Sequence, residues 1–206
     1  GAFRIEGNIG LNFRLGKDTT RFRAEGYIKN TNPSFYYRHY HAQHYWWDNE
    51  MHEEFRVRLG GSIAIDHWRT RLYAGVENIK NYTYLVGTPY LYPADVNSTV
   101  PRSLSNITAR QYNKNLQVLS STLHQDFKVG VLHWDNEATV QYSSNQEVLP
   151  LPLINLYSNV YLKFTYAKVL RIQLGGDVRW FSRYHAPDYA PALEQYFVQE
   201  GAHRVE

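Results

Sequence analysis

Apolar and polar residues alternate along most of this chain with a period of two. Within residues 2–15, every odd position from Phe3 onward is apolar or glycine, and the even positions after Ala2 are polar or glycine. This period predicts a β-strand with one apolar face. A short turn at residues 16–20 leads into a second alternating segment, so the first two strands are predicted to form a hairpin.

The same pattern predicts six further strands. The third covers residues 53–65. The fourth begins near Leu72 and loses its alternation between Glu77 and Lys80, where we expect a β-bulge or a shift of environment. Helical periodicity of useful length is absent from the sequence. The last four predicted strands cover residues 116–129, 134–144, 156–166 and 170–180.

Short and long links alternate between the predicted strands. The long links are residues 31–52, 85–115 and 145–154, and residues 183–206 follow the last strand. Long irregular links are unusual in compact soluble domains. Tight turns at one end, long loops at the other and strands of about ten residues are typical of an outer-membrane barrel.

The predicted fold class is therefore all-β, an antiparallel up-and-down transmembrane β-barrel. We interpret residues 1–206 as a single partial domain, about eight strands of a larger barrel, because neither end of the chain has the character of a domain boundary. A soluble lipocalin-like or sandwich fold is the alternative, since its sheets also alternate apolar and polar residues.

Two further features favour the membrane. The apolar set of positions is almost free of charge, whereas a charge facing lipid at the midplane costs about 2–4 kcal/mol. Aromatic residues also gather near the strand ends, as they do at the two interfaces of a bilayer. The predicted membrane-interface residues are Trp46, Trp47, Trp134, Tyr166 and Trp180.

The polar set of positions carries charges of both signs deep within the strands. Such side chains are hydrated if they face a water-filled lumen. The predicted pore-lining residues are Arg4, Glu6, Arg14, Arg21, Arg23, Glu25, Glu54, Arg56, Arg58, Glu137, Lys163, Arg171, Asp177 and Arg179. We expect the arginines to make permeation mildly anion-favouring, with ion pairing to neighbouring carboxylates as the alternative role of each.

Five segments together carry a resemblance to a known family. They are Trp46-Trp47-Asp48-Asn49, Gly75-Val76-Glu77-Asn78-Ile79-Lys80-Asn81-Tyr82, Gln125-Asp126-Phe127-Lys128, His133-Trp134-Asp135-Asn136-Glu137 and Tyr184-His185-Ala186-Pro187-Asp188-Tyr189-Ala190-Pro191. In this order they resemble the Bacteroidetes-type putative porin family. The resemblance implies a longer single-chain barrel in the bacterial outer membrane and a channel or transport role, and it brings no substrate or binding residues with it.

Composition excludes several other functions. The chain has no cysteine, so it has no disulfide framework and no cysteine nucleophile. Its 22 Lys and Arg against 19 Asp and Glu give no reason to expect a nucleic-acid partner. Nucleotide-binding and zinc-protease motifs are absent. Ser120 and His124 share a strand face but belong to no catalytic motif, so we expect neither an enzyme nor a cofactor.

Three local features have alternative interpretations. His39, His41 and His44 could ligate a metal, although no fourth ligand is fixed by the spacing. Trp46 and Trp47 beside Asp48 and Asn49 could form a sugar-stacking platform, but interfacial anchoring of a strand end is the favoured interpretation. The third feature is a Tyr- and Pro-rich segment that could form a constriction or a docking surface, or simply a surface loop: Pro89, Tyr90, Tyr92, Pro93 and Pro101.

The predicted function is an outer-membrane, porin-like channel for small hydrophilic solutes. Its predicted partners are outer-membrane lipid and those solutes. The alternatives are a surface-binding or adhesion barrel, with functional aromatic loops and a plugged lumen, and a small closed barrel whose packed interior conducts nothing.

Overall fold

The fold is a long antiparallel sheet. The computed structural model describes residues 1–16, 18–42, 45–91 and 103–199. For Leu15 and for residues 88–91 and 103–106 it describes the backbone only. The elements are β1 (Phe3–Leu15), β2 (Asp18–Thr31), α1 (Phe35–Arg38), β3 (His39–His41), β4 (Trp46–Asp48), β5 (Glu54–Ile65), β6 (Thr70–Leu91), β7 (Ser103–Val129), β8 (Leu132–Ser143), β9 (Ile154–Tyr166), β10 (Leu170–Phe181), β11 (Asp188–Ala190) and β12 (Gln195–Gln199).

Eight of these strands form an up-and-down meander. Their order is β1-β2-β5-β6-β7-β8-β9-β10, and every neighbouring pair is antiparallel. This confirms the predicted all-β class and up-and-down topology. Among the described strands, β1 and β10 each pair on one side only, so the sheet is open along both of these edges.

The register offset between neighbouring strands corresponds to the strand tilt found in closed barrels. One row of paired residues runs from Phe13 in β1 to Ser158 in β9. At the short-turn end, where the tight turns join the strands, pairing in β1 stops at Leu15, two residues beyond this row, and pairing in β9 stops at Tyr166, eight residues beyond it. The strand ends are therefore offset by six residues over the six steps from β1 to β9. The offset averages one residue per strand, which at about 3.3 Å per residue and about 4.8 Å between strands gives a tilt of roughly 35°. Closed barrels have tilts of about 35–45°.

The register also separates two chemically distinct faces. Phe22, Ile63 and Leu72 are paired across three successive strands, and the face to which they belong is called the apolar face below. The opposite side, the polar face, carries the charged residues of the strands. Leu59 is 63% exposed and Leu174 is 69% exposed on the apolar face. A continuous exposed apolar surface of this extent is unusual in a soluble monomer and marks a surface that contacts another phase or partner.

The buried core of the chain lies at the long-loop end and not within the sheet. β6 and β7 continue past β5 as a paired extension, residues 82–91 and 103–112, called the loop-end extension below. One of its faces, which includes Leu85 and Ala109, packs against Trp47 and Phe197. The other face packs against the connection between β8 and β9. Within the predicted long link 85–115, residues 85–91 thus pair with 103–109, and the described side chains at the start of this extension are covered on both faces.

Residues 77–80 pair regularly with β5 and β7, and the irregularity follows them at Asn81. The register of β6 and β7 shifts between Lys80 and Tyr82, and Asn81 between them has a φ of 60°. Asparagine tolerates this left-handed conformation better than most residues. The irregularity lies at the start of the loop-end extension, where β6 leaves the main sheet.

The segments that follow β2 and β10 also contain regular structure. α1, β3 and β4 lie in the predicted link 31–52, and β11 with β12 lie in residues 183–206. β12 pairs in parallel with β6 at Val86 and Gly87. No helix in the described part of the chain is long and apolar enough to cross a membrane.

A close approach of two strands gives the first testable prediction. A methyl group at Gly175 of β10 would collide with the Val160 carbonyl oxygen and with Tyr161 of β9. A methyl group added at neighbouring Gly176 would have no other atom within 4 Å. We expect Gly175→Ala to lower the folded fraction in detergent and Gly176→Ala to leave it unchanged, as measured by heat-modifiable gel mobility. Equal folding of the two variants would contradict this packing.

Candidate functional site: the polar face of the sheet

The polar face gathers the charges predicted from the sequence. The strand pairing places all fourteen predicted pore-lining residues on this face of the main sheet, at alternate positions of β1, β2, β5, β8, β9 and β10. They form one surface that crosses the meander from edge to edge. Their neighbours determine which of these charges form ion pairs and which remain unpaired.

Toward the long-loop end the charges neutralise one another. Arg56 donates from Nε to Glu54 Oε1 at 2.6 Å and from Nη1 to Glu77 Oε1 at 3.3 Å. The Tyr27 hydroxyl donates to the same Glu77 oxygen at 2.8 Å. These side chains are partly buried, which reduces solvent screening of the ion pairs. The cluster therefore holds β2, β5 and β6 together, and with the neighbouring Arg58 of β5 it contains two guanidinium groups and two carboxylates, so its charges balance.

Tyrosines complete the wall at positions that the charge pattern did not identify. The Arg58 guanidinium donates to the Tyr73 hydroxyl at 2.8 Å and lies 5.9 Å from its ring centre. The Tyr73 ring covers Gly60 and Gly75, which have no side chains to oppose it. Tyr73 lies on the polar face by its alternation in β6, so the pattern contained this signal. Aromatic cover of a strand glycine stabilises the pairing of neighbouring strands.

The remaining strands of the wall use similar contacts. His124 Nδ1 lies 3.4 Å from Glu137 Oε2 across β7 and β8. Arg179 lies over the ring of Tyr157, with its guanidinium carbon 5.4 Å from the ring centre. Cation–π contacts of this kind orient a guanidinium without removing its charge. Arg179 thus remains positively charged at the wall surface.

A second group of cations lies at the short-turn end, the end of the sheet where the four tight turns join the strands. Each is adjacent to the last paired residue of its hairpin: Arg14 beside Leu15, Arg71 beside Thr70, Lys128 beside Val129 and Arg171 beside Leu170. All four are exposed, and none forms an ion pair with another residue that the structure describes. Arg14, Arg71, Lys128 and Arg171 are called the short-turn cations below.

The sequence pattern identified only part of this group. Arg14 and Arg171 were among the predicted pore-lining residues, whereas Arg71 and Lys128 were not. Arg21 was also among the predicted pore-lining residues, but it forms an ion pair with Asp66 and so does not belong to the short-turn cations. Arg23 and Lys163 resemble the short-turn cations, because neither has an ion-pair partner among the described residues.

The connection between β8 and β9 lies against the polar face near the long-loop end. Val148 in this loop, residues 144–153, is 5% exposed and packs against Ile79 and Leu116. Leu116 is completely buried although it occupies a polar-face position of β7. The loop is internally ordered, since the Leu149 amide donates to the Asn145 carbonyl at 3.0 Å. It therefore covers part of the polar face at this end.

The predicted interfacial aromatic residues divide into two groups. Trp134, Tyr166 and Trp180 lie on the apolar face close to strand ends, where they are exposed. Trp46 and Trp47 lie outside the main sheet, in β4. Trp46 is exposed, but Trp47 is 5% exposed and its Nε1 donates to the Tyr36 carbonyl at 2.9 Å. Trp47 is therefore part of the buried core at the long-loop end and not of an exposed aromatic surface.

The histidines of the predicted metal site have other partners. His39 forms an ion pair with Asp48, and the ring of His41 stacks on Trp46 at 5.0 Å. His44 lies outside the described residues. Groups of three or more potential metal ligands are absent from the part of the chain that the structure describes.

Two other features suggested by the sequence lie on β7 and around the end of β6. Ser120 and His124 share the polar face of β7, but four residues of strand separate their α-carbons by about 13 Å. That separation exceeds hydrogen-bonding reach for a nucleophile and its base. In the Tyr- and Pro-rich segment, Tyr92, Pro93 and Pro101 lie outside the described residues.

A family model matches this chain over its full given length. Residues 1–206, which are the whole chain, match the family described as "Putative porin". No curated protein and no solved structure matches the chain.

Proposed function

The chain belongs to the putative porin family, and on that premise we propose that it forms part of an outer-membrane channel for small hydrophilic solutes. The observation that carries the proposal is the contrast between the two faces of one eight-stranded meander. The apolar face suits contact with lipid hydrocarbon, and the polar face suits contact with water in a lumen. We further propose that additional strands pair with β1 and β10 to close the wall, because an open edge in hydrocarbon leaves backbone groups unsatisfied.

Conductance of the complete protein in planar lipid bilayers tests this proposal directly. We expect discrete conductance steps and swelling of proteoliposomes in small neutral solutes such as arabinose. Purified folded protein that gives neither current nor swelling would overturn the channel assignment. Fractionation of the cells of origin tests the location separately, with recovery in the outer-membrane fraction as the expected result.

The position of residues 144–153 leads to a prediction about channel width. Val148→Asp places a carboxylate in a buried cluster built mainly from apolar side chains, so the loop should leave the polar face. We expect the variant to have a larger single-channel conductance than the wild-type protein. Glu147→Gln, at an exposed neighbouring position, is the control. Equal conductance of all three proteins would show that this loop does not narrow the lumen.

A surface-binding barrel with a plugged lumen is the second candidate function. The packing at the long-loop end favours it, because two connections between strands and the segment after β10 pack against the loop-end extension in two buried clusters. Transport and surface binding make different predictions in the bilayer experiment. A plugged barrel stays electrically silent while its loops retain their binding properties.

A further inference from the structure

A pocket at the long-loop end lies between two segments that are distant in sequence. One wall comes from the segment around α1 and β3 and includes Tyr36, Tyr37 and Tyr40. The other comes from the turn between β11 and β12 and includes Glu194 and Gln195. The pocket has a volume of about 430 Å³, within the range of about 300–1,000 Å³ typical of small-molecule sites.

Aromatic rings form a rigid floor for this pocket. Tyr40 stacks on the buried Trp47, with ring centres 4.8 Å apart and an angle of 20° between the planes. Tyr36 lies 6.3 Å from Tyr40 and is 68% exposed. One face of Tyr40 is thus occupied by Trp47, whereas most of Tyr36 remains available to a ligand.

The tryptophan pair that the sequence suggested as a sugar platform does not serve as one. Trp47 is buried, and the neighbouring polar side chains already have protein partners. Asp48 is paired with His39, and the Asn49 amide donates to the Ala109 carbonyl at 3.0 Å. The pocket, by contrast, offers hydroxyls from its tyrosines, the Glu194 carboxylate and the Gln195 amide beside exposed aromatic surface.

The conformation of the pocket walls is well fixed. The Leu193 amide donates to the Ala190 carbonyl at 3.1 Å, which closes the turn that carries Glu194. Glu194 itself has a φ of 54°, a left-handed conformation that is uncommon outside glycine and asparagine. Burial, reinforced by the Glu54 carboxylate, raises the pKa of Tyr37, which favours the protonated phenol that can donate a hydrogen bond.

We propose that this pocket binds a neutral saccharide, one or two hexose units long, at the long-loop end of the protein. Aromatic surface contacts the apolar C–H patches of a sugar ring, while carboxylate, amide and phenol groups exchange hydrogen bonds with its hydroxyls. A single carboxylate among neutral polar groups suits a ligand without charge better than an anion. The proposal does not depend on channel activity, because the pocket lies in the loops.

Intrinsic fluorescence of the complete folded protein in detergent provides the test. Trp47 forms part of the pocket wall, whereas Trp46 stacks on His41 outside it. A Trp46→Phe background therefore reduces the signal from the neighbouring indole. Titration with maltose, cellobiose, lactose and chitobiose should change the emission saturably for at least one of these probes, and saturation-transfer NMR should detect the bound sugar.

Two variants make the test specific for the pocket. Tyr36→Ala and Gln195→Ala should each weaken binding of the responding sugar at least tenfold, and Trp68→Phe, in the turn between β5 and β6, should leave it unchanged. Folding of every variant is checked by heat-modifiable mobility. The proposal is overturned if none of the four sugars binds, if choline binds the pocket and the sugars do not, or if Tyr36→Ala and Gln195→Ala bind the sugar like the parent protein.

Discussion

Replacing Leu59 by arginine should prevent assembly of the complete protein in the outer membrane. Leu59 is 63% exposed on the apolar face and lies six residues from Ile65, the last paired residue of β5. This spacing is about 20 Å along the strand, or roughly 16 Å in height at a tilt of about 35°. The side chain thus lies near the middle of a hydrocarbon layer about 30 Å thick. An arginine there costs about 2–4 kcal/mol.

The polar face supplies matched controls for this experiment. Ser62 lies three residues from Leu59 on the polar face of the same strand, so Ser62→Arg should assemble. Leu174→Arg and Gln173→Arg form a second pair at adjacent positions of β10, with the same expected contrast. Assembly is measured as the heat-modifiable fraction in outer-membrane extracts. Equal tolerance of arginine on both faces would remove the membrane assignment and leave the family membership unexplained.

Strand positions were predictable wherever one face of the sheet is apolar and the other polar. β1 and β5 begin within one residue of their predicted starts and end at the predicted residues. The period-two pattern is strong there because the two environments differ sharply. The same contrast placed all fourteen predicted wall residues on one face, which required only their alternation and not their partners.

The loop-end extension was not predictable by the same argument. Leu85 and Ala109 are buried on one face, and Tyr82 and Tyr112 pack on the other. When both faces of a hairpin are covered, the alternation between apolar and polar residues disappears. Trp47 illustrates a related difficulty, because a tryptophan near a strand end has the same sequence context whether it contacts lipid or a core. Only the arrangement of distant segments distinguishes the two.

The state of each wall charge also depends on the register and not on the pattern alone. Arg56 and Arg23 have equivalent positions in the alternation, yet Arg56 bonds to two carboxylates and Arg23 has no ion-pair partner among the described residues. Pairing is decided by which side chains lie opposite or diagonal across neighbouring strands. The sequence therefore predicts the sign of the wall charges but not which of them are paired with a carboxylate.

The short-turn cations should make the channel prefer anions. Arg56 and Arg58 are balanced by Glu54 and Glu77, so the contribution of this cluster to the field along the proposed lumen is small. Arg14, Arg71, Lys128 and Arg171 carry four positive charges at one end of the wall without ion pairs among the described residues. Unpaired cationic side chains at the mouth of a water-filled pore favour anions, and we expect Cl⁻ to permeate better than K⁺ through the proposed channel.

Replacing all four short-turn cations by glutamine should remove most of this preference. In a KCl gradient, the reversal potential of the quadruple variant should move toward the cation-selective side. The difference between the two proteins should shrink as ionic strength rises, because the screening length falls from about 10 Å at 0.1 M salt to about 3 Å at 1 M. All four side chains are exposed, so the variant should still fold.

A charge-neutral double variant supplies the control for this last prediction. Arg21 and Asp66 form an ion pair near the same end of the wall, so Arg21→Gln combined with Asp66→Asn removes one positive and one negative charge together. The local field is nearly unchanged, and the reversal potential should remain that of the wild-type channel. The reversal potentials of the wild-type protein, the quadruple variant and the double variant are measured in planar bilayers. An unchanged potential in the quadruple variant would show that permeating ions do not respond to the short-turn cations.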